Sequence, residues 1–251
     1  MKSIIPILFS ALVLLSSCVY DASSGFDPDL FIPENPNFNS DIHAQWWVLS
    51  TNGSPQINLY NHQSVRVERS FRVPAQLSNP QALAFDGESL WVGGTGSNAA
   101  VYQLNPADGS IISIVENIET KGLSYANGQV WYLNGNTVRS LPNANGESAS
   151  LPVSIDGNVT DFSMSDTHLF TVNSNFGEVK KYRLNATSEE ASFWTGIDGA
   201  QNISTIDNSF NIVTESNAFC TFNADNGNMN NDIPIATPTD VTAIAPNGPV
   251  Q

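Results

Sequence analysis

Five polar side chains that recur about forty residues apart are the residues of this sequence that could do chemistry together. Each precedes a similar short run of β-type residues, and they are Gln81, Lys121, Asp161, Asn202 and Asp240. Two carboxylates, two amides and one ammonium that meet at one place would suit a cation, a water cluster or a small polar ligand. A hard ion such as Ca²⁺ would need further oxygen ligands. Thr160 competes with Asp161 for the fourth place, and the alternative is that these groups only solvate the ends of strands.

Covalent catalysis has little support in the sequence. No Gly-x-Ser-x-Gly nucleophile motif is present, and His168 stands beside Leu169 in an apolar run, which favours a structural histidine. The run Gly93-Gly94-Thr95-Gly96 resembles a phosphate loop only superficially, because neither a helix nor a Lys-Ser/Thr pair follows it. We therefore predict no catalytic residue.

A fivefold repeat of short strands positions the polar residues. The copies centre near Trp47, Trp91, Trp131, Phe170 and Asn211, a period of about forty residues. Such a period, built from β-type runs, is typical of a β-propeller blade. Pairs such as Asp86-Gly87 and Asn127-Gly128 follow the first strand of a copy and favour a tight hairpin. The sequence thus predicts an all-β, five-bladed propeller made of four-stranded antiparallel blades.

The two ends of the repeat indicate how the ring closes. The first copy has no opening strand before Trp46, whereas residues 241–248 have the form of that strand and its turn. We expect the C-terminal segment to pair into the first blade as its innermost strand. An open array that needs a partner is the alternative. The outer strands, where the pattern is weakest, are predicted at residues 70–73, 111–115, 150–153, 191–195 and 233–236.

Aromatic and sulfur residues mostly indicate packing. Trp47, Trp91 and Trp131 share one position of the repeat, and a position shared across blades favours core packing over recognition. Trp194 lies outside that register, so it is the tryptophan whose exposure is worth examining. Cys220 lies in an apolar strand and is interpreted as a buried, inert thiol.

The charge of the chain excludes one class of partner. Nine Lys and Arg residues oppose 24 Asp and Glu residues, which leaves a formal net charge of −15. A surface of that sign repels the phosphates of nucleic acids. We expect no nucleic-acid partner, and solubility is the simplest reason for the acidity.

The N-terminus contains signals for export. Lys2 precedes an apolar run at residues 4–15 that is too short to span a bilayer, which favours a cleaved signal peptide. The motif Leu15-Ser16-Ser17-Cys18 resembles the lipobox of bacterial lipoproteins. That resemblance implies cleavage after Ser17 and attachment of diacylglycerol, with acyl chains such as palmitate, to Cys18. A plain secretory signal with an incidental cysteine is the alternative.

The residues after Cys18 refine the expected location and the domain boundaries. Val19 stands where lipoproteins retained at the inner membrane typically carry Asp, so the resemblance favours the outer membrane. We predict a signal peptide at residues 1–17, a disordered tether at 18–40 and the propeller at 41–251. The predicted location is the cell envelope, with the membrane bound through Cys18.

The repeats, residues 83–94 above all, resemble propellers of the NHL, YncE and lactonase-like kind. Lactonase-like propellers hold a metal at the channel, and only Asp161, Asn202 and Asp240 could do so in this chain. Five-bladed glutaminyl cyclases are another enzymatic precedent, but their active-site residues have no recognisable counterparts here. We expect a lipid-anchored module, without a required cofactor, that binds a protein or glycan partner through one loop face. The alternative is a metal-dependent hydrolase or lactonase that acts at the channel.

Overall fold

The structure is a computed structural model, and the part of the chain that it describes is built from β-strands. It describes residues 45–61, 66–155, 158–174, 177–197, 199–214, 218–234 and 240–248. Nineteen strands in these ranges form five antiparallel sheets, which are the blades of a five-bladed β-propeller. The predicted fold class is confirmed. The predicted signal peptide and tether, with Cys18, lie outside the described residues.

The blades follow one another in chain order. Blade 1 begins with β1 (Gln45–Ser50), β2 (Gln56–Asn61) and β3 (Arg66–Arg72). Blade 2 contains β4 (Pro80–Phe85), β5 (Leu90–Gly94), β6 (Ala100–Leu104) and β7 (Ile111–Glu116). Blade 3 contains β8 (Leu123–Ala126), β9 (Gln129–Asn134) and β10 (Thr137–Ser140). Blade 4 contains β11 (Val159–Met164), β12 (His168–Asn173), β13 (Glu178–Arg183) and β14 (Glu189–Trp194). Blade 5 contains β15 (Ser204–Ile206), β16 (Ser209–Val213), β17 (Ala218–Asn223) and β18 (Met229–Pro234), and the last strand is β19 (Val241–Pro246).

The C-terminal strand closes the ring. β19 pairs antiparallel with β1, so that blade 1 has the order β19-β1-β2-β3. Beyond β19, Asn247 accepts a hydrogen bond from Nε1 of Trp47 at 2.8 Å and donates one from Nδ2 to Oε1 of Gln45 at 2.6 Å. Its backbone amide also donates to the carbonyl of Gln45 at 3.0 Å. The predicted closure by the chain's own termini is confirmed.

In blade 2 the equivalent hydrogen bond from a tryptophan ring joins residues that are close in the sequence. Asp86 follows its inner strand β4 as Asn247 follows β19, and Oδ2 of Asp86 accepts Nε1–H of Trp91 at 2.7 Å. Oδ1 of Asp86 accepts the backbone amides of Glu88 and Ser89, which fixes the hairpin that reverses the chain. The closing residue of blade 1 therefore reproduces a turn contact from about two hundred residues away in the chain.

The outer strands follow the sequence pattern less closely, and blade 3 departs furthest from it. The predicted strand at 150–153 is reduced to one bridge, Arg139 with Ser150, flanked by backbone hydrogen bonds from Ser140 to Ala149 and from Leu151 to Val138. Pro152 has no N–H to give to a ladder, so a regular fourth strand ends there. In blades 1 and 5, β3 and β18 begin four residues before the predicted strands at 70–73 and 233–236.

The apolar core lies between adjacent blades. Trp47 in blade 1 is 1% exposed and packs with its ring centroid 6.1 Å from that of Phe85 in blade 2. In blade 5, the rings of Phe210 and Phe222 stack at 5.1 Å, and Phe170 of blade 4 lies 6.0 Å from Phe210. The repeated aromatic position therefore holds blades together, as the sequence predicts.

Two glycines show how closely the blades approach each other. Gly109 and Gly227 each end a turn between the third and fourth strands with a left-handed φ near 70°, at 74° and 70°. A Cβ on Gly109 would lie 2.4 Å from the ring of Phe71 in blade 1, and one on Gly227 would lie 2.5 Å from the ring of Phe193 in blade 4. Each turn thus packs against an aromatic ring of the preceding blade.

Candidate functional site

The strand register shows which residues occupy equivalent places at the start of each inner strand. β-Bulges interrupt the pairing of β4, β11 and β19 with their neighbours, at Gln81, Thr160 and Thr242. Counted back three residues from the strand partner of each repeat centre, the equivalent position is held by Gln81, Lys121, Thr160, Gln201 and Thr242. The predicted equivalence is therefore wrong at three places, because Asp161 and Asn202 each stand one residue after this position and Asp240 two residues before it. A bulge adds a residue to one strand and so shifts the register. Because the order of polar and apolar residues in the sequence stays the same, the sequence alone does not reveal the shift.

Asp161 fastens blade 4 to blade 5. Its side chain is buried, Oδ1 accepts the amide of Phe162 at 2.8 Å, and Oδ2 accepts the amide of Ile203 at 3.0 Å. Burial raises the pKa of this carboxyl well above its usual range, and the two backbone hydrogen bonds only partly oppose that effect. A Cβ on the neighbouring Gly122 would lie 2.4 Å from Oδ1, so the site requires glycine there.

Thr160 of blade 4 and Asn202 of blade 5 also bond to backbone groups. Oδ1 of the fully buried Asn202 accepts the amide of Val213 at 3.0 Å, while its Nδ2 has no hydrogen-bond partner within the described residues. The hydroxyl of Thr160 donates to the carbonyl of Val172 at 3.2 Å, with the carbonyl of Ala200 at 3.3 Å. These side chains thus satisfy backbone groups of the second strands, opposite the starts of the inner strands.

The central channel is too narrow for a ligand. The inner strands of all five blades line it, and its cavity volume is about 20 Å³, which is close to the space that one water needs. Serine hydroxyls link the inner strands of neighbouring blades. The backbone amide of Met164 donates to Oγ of Ser124 at 2.9 Å, and the backbone amide of Thr205 donates to Oγ of Ser163 at 2.9 Å. None of the five predicted site residues lines this cavity.

A larger cleft opens between blades 5 and 1, with a cavity volume of about 460 Å³. Ligand pockets commonly have volumes of roughly 300–1,000 Å³. Its lining comes from loops that lead into first strands and loops that join second to third strands, which we call the loop face. The lining residues are Thr51, Gly199, Gln201, Val213, Thr214, Asp240, Val241 and Thr242. Of the lining residues that the structure describes, Asp240 alone carries a charged side chain.

The five predicted residues lie in different surroundings. Asp240 lines the cleft and is exposed, while Asp161 and Asn202 are buried in the framework. Gln81 is half-buried and Lys121 is exposed, and neither lines the cleft or the channel. Residues that the sequence did not single out, such as Gln201 beside Asn202, complete the cleft. The feature of the sequence that could have indicated them is their position in the loops between repeated strands.

No metal centre can be assigned within the described ranges, which contain no group of three or more His, Cys, Asp or Glu side chains able to hold an ion. Cys220 is buried, as predicted. Trp194, the tryptophan outside the repeat register, is 66% exposed on the outer strand of blade 4.

His168 belongs to a charged cluster on the face opposite the cleft. Its Nδ1 lies 2.8 Å from the hydroxyl of Thr167, and its Nε2 lies 3.6 Å from a carboxylate oxygen of Glu190. Burial, and then the charge of Lys181, lower the pKa of the His168 imidazole despite the opposing effect of Glu190. Lys181 itself reaches across to blade 5 and donates to the carbonyl of Ala224 at 3.1 Å. These contacts agree with a structural role for His168.

Comparisons with known proteins place the fold but no family. No protein-family model matches the sequence, and no curated protein is similar to it. A protein of unknown function from Bacteroides caccae superposes with a TM-score of 0.52 at 11% identity, over 81% of this chain and 98% of that one. A chain in the crystal structure of a nidogen/laminin complex gives a TM-score of 0.51 at 8% identity, over 80% of this chain and 97% of that one. Glutaminyl cyclase from Myxococcus xanthus gives 0.50 at 9% identity, over 68% and 72%. At such identities the likeness extends to the propeller fold alone.

Proposed function

We propose that this protein is a cell-envelope binding module, anchored by a lipid on Cys18, whose propeller holds a protein or glycan partner on its loop face. The observation that carries the binding role is the contrast between the two cavities. The channel has room for about one water, whereas the cleft on the loop face has a volume of about 460 Å³ and is lined mainly by polar groups.

The anchoring part of the proposal rests on the sequence of the leader. The motif Leu15-Ser16-Ser17-Cys18 follows a positive residue and an apolar run. Acyl chains buried in a bilayer contribute about 0.8 kcal/mol per methylene, so two or three chains hold a protein durably. Within the described residues, no helix is both long and apolar enough to cross a membrane. Val19 after the cysteine favours the outer membrane.

Intact mass of the protein extracted from membranes tests the anchor. We expect a chain that begins at Cys18 and carries the added mass of a lipid. In the Cys18→Ala variant, the protein should leave the membrane fraction. An unmodified Cys18 in the wild-type protein would refute the anchor, although the binding role would remain open to its own test.

Photo-crosslinking in cells tests the binding face. A diazirine amino acid at Asn136, an exposed residue in the loop between β9 and β10, reports on the loop face. The matched control is the same amino acid at Glu88, which is exposed in the hairpin between β4 and β5 on the opposite face. We expect a discrete adduct from position 136 and none from position 88, and the mass of the adduct distinguishes protein from glycan. Equal adducts from both positions would contradict recognition by the loop face.

A further inference from the structure

Asp240 and its counterpart in blade 2 occupy the same backbone position but differ in their side-chain contacts. Both precede an inner strand with a left-handed conformation, at φ 68° for Asp240 and φ 41° for Asn79. In each blade the residue's carbonyl accepts an amide from a threonine after the second strand, Thr51 at 3.1 Å and Thr95 at 3.2 Å. The backbone is therefore alike in the two blades, and the side chains can be compared directly.

The side chain of Asn79 is satisfied within the protein, whereas that of Asp240 has no partner among the described residues. Nδ2 of Asn79 donates to the hydroxyl of Thr95 at 2.7 Å. Within the part of the chain that the structure describes, the Asp240 carboxylate makes no hydrogen bond or ion pair. It is exposed and lines the cleft of about 460 Å³ between blades 5 and 1. An exposed carboxylate held in a left-handed backbone conformation at the edge of a cavity is available to an incoming group.

The other lining groups limit what that group can be. The described lining residues include no Lys or Arg, so among them an anionic ligand would meet the negative charge of Asp240 without a compensating cation. The formal net charge of −15 for the chain acts in the same direction. Thr51 and Gln201 also line the cleft, and they carry hydroxyl and amide groups that can both donate and accept. The hydroxyl of Thr242, another lining residue, donates to the carbonyl of Leu49 at 3.4 Å and can still accept a hydrogen bond. A ligand that carries one ammonium and several hydroxyl groups would complement this lining.

We propose that the cleft binds a small hydroxylated primary amine of the amino-sugar class, with its ammonium on the Asp240 carboxylate. This inference rests on the proposed binding role of the loop face and names the ligand class for it. The ammonium donates charge-assisted hydrogen bonds to the carboxylate, and the sugar hydroxyls bond to the threonine and glutamine side chains. The cleft volume lies in the range of small-molecule pockets.

Titration calorimetry with three sugars tests the proposal. Glucosamine carries the ammonium, N-acetylglucosamine replaces it with a neutral amide, and glucose replaces it with a hydroxyl. We expect glucosamine to bind at least about tenfold more tightly than the other two, as is common for hydrogen bonds to charged groups. Its affinity should fall as salt is added, since the contact is ionic. Equal binding of glucosamine and glucose, or no binding of glucosamine, would overturn the proposal.

Substitutions assign the effect to Asp240. Asp240→Asn should weaken glucosamine binding about tenfold and leave glucose binding unchanged, because Asn also adopts a left-handed conformation readily. Gln201→Lys, which places a competing cation in the cleft, should also abolish the preference for glucosamine. Asn79→Ala, at the matched position in blade 2, should bind glucosamine like the wild-type protein. Retention of the preference in Asp240→Asn would refute the assignment.

The crosslinking experiment separates the two levels of the argument. If glucosamine fails to bind while the adduct at position 136 persists, the ligand class is wrong and the binding module stands. If that adduct is absent as well, the proposed function also fails.

Discussion

Removing the closing strand tests the architecture most directly. We expect a chain that lacks residues 239–251 to lose the whole domain. β19 supplies the innermost strand of blade 1 and pairs with β1 at five positions, from Trp46 with Pro246 to Ser50 with Val241. Without β19, the ring is open and the inner edge of β1 has no strand to pair with.

The size of the effect follows from what β19 buries. Val241 and Ile244 are 9% and 3% exposed, and burial of each such side chain contributes about 1.5–3 kcal/mol. The ladder hydrogen bonds contribute about 1 kcal/mol each, or about 5 kcal/mol if each of the five paired positions is counted as one bond. Together with the two side chains, the loss amounts to about 8–11 kcal/mol. A single domain is stable by about 5–15 kcal/mol. The truncated chain should therefore be largely unfolded in the absence of denaturant.

Urea titration followed by circular dichroism measures the free energy of unfolding, and residues 41–238 are compared with residues 41–251. The matched control ends at Gly248, which keeps β19 and the Asn247 contacts with Trp47 and Gln45. A synthetic peptide of residues 239–251 added in trans should restore a cooperative transition, which separates loss of the strand from general misfolding. An unchanged urea midpoint in the truncated chain would refute closure by β19.

Two further predictions concern the contacts between blades. Gly227→Ala should lower the free energy of unfolding by about 2–4 kcal/mol, since its Cβ would clash with the ring of Phe193 and its φ is 70°. Gly128→Ala, at φ 73° with open space around the Cβ, should lower it by only about 1–2 kcal/mol; similar losses in a urea titration would contradict the interblade contact. For Asp161, the raised pKa in the folded state means that its contribution to stability is fully present below the unfolded pKa of 3.8 and is lost as the pH rises through the folded pKa. The free energy of unfolding of Asp161→Asn minus that of the wild-type protein should therefore increase as the pH rises above 3.8, and a difference that does not change with pH would be inconsistent with the buried carboxyl.

The sequence predicts the blades because their signals are local. The hairpin at Asn127-Gly128 needs positive φ at both residues, and the structure has 53° and 73° there. Alternating apolar residues around Trp47 and Trp131 likewise determine burial without knowledge of the partner strand. Strand existence and ring closure could therefore be derived from residue types alone.

The candidate site could not be predicted as well, because it depends on register and on loops. A bulge at Thr160 moves Asp161 from the loop face into the interface with blade 5, and nothing in the polar pattern distinguishes the two positions. The cleft depends on how the loops containing Thr51 and Gln201 approach each other across two blades. Contacts of this kind between irregular loops have no signature in a single sequence.

The pairing of β19 with β1 also determines the order in which the domain can mature. β19 follows the other eighteen described strands in the chain, so a ribosome completes blade 1 last although it synthesises β1 first. Until then the inner edge of β1 offers unpaired backbone groups to any other strand, and closure needs a contact between residues about two hundred positions apart. A chain that stops before β19 therefore retains an open edge in blade 1.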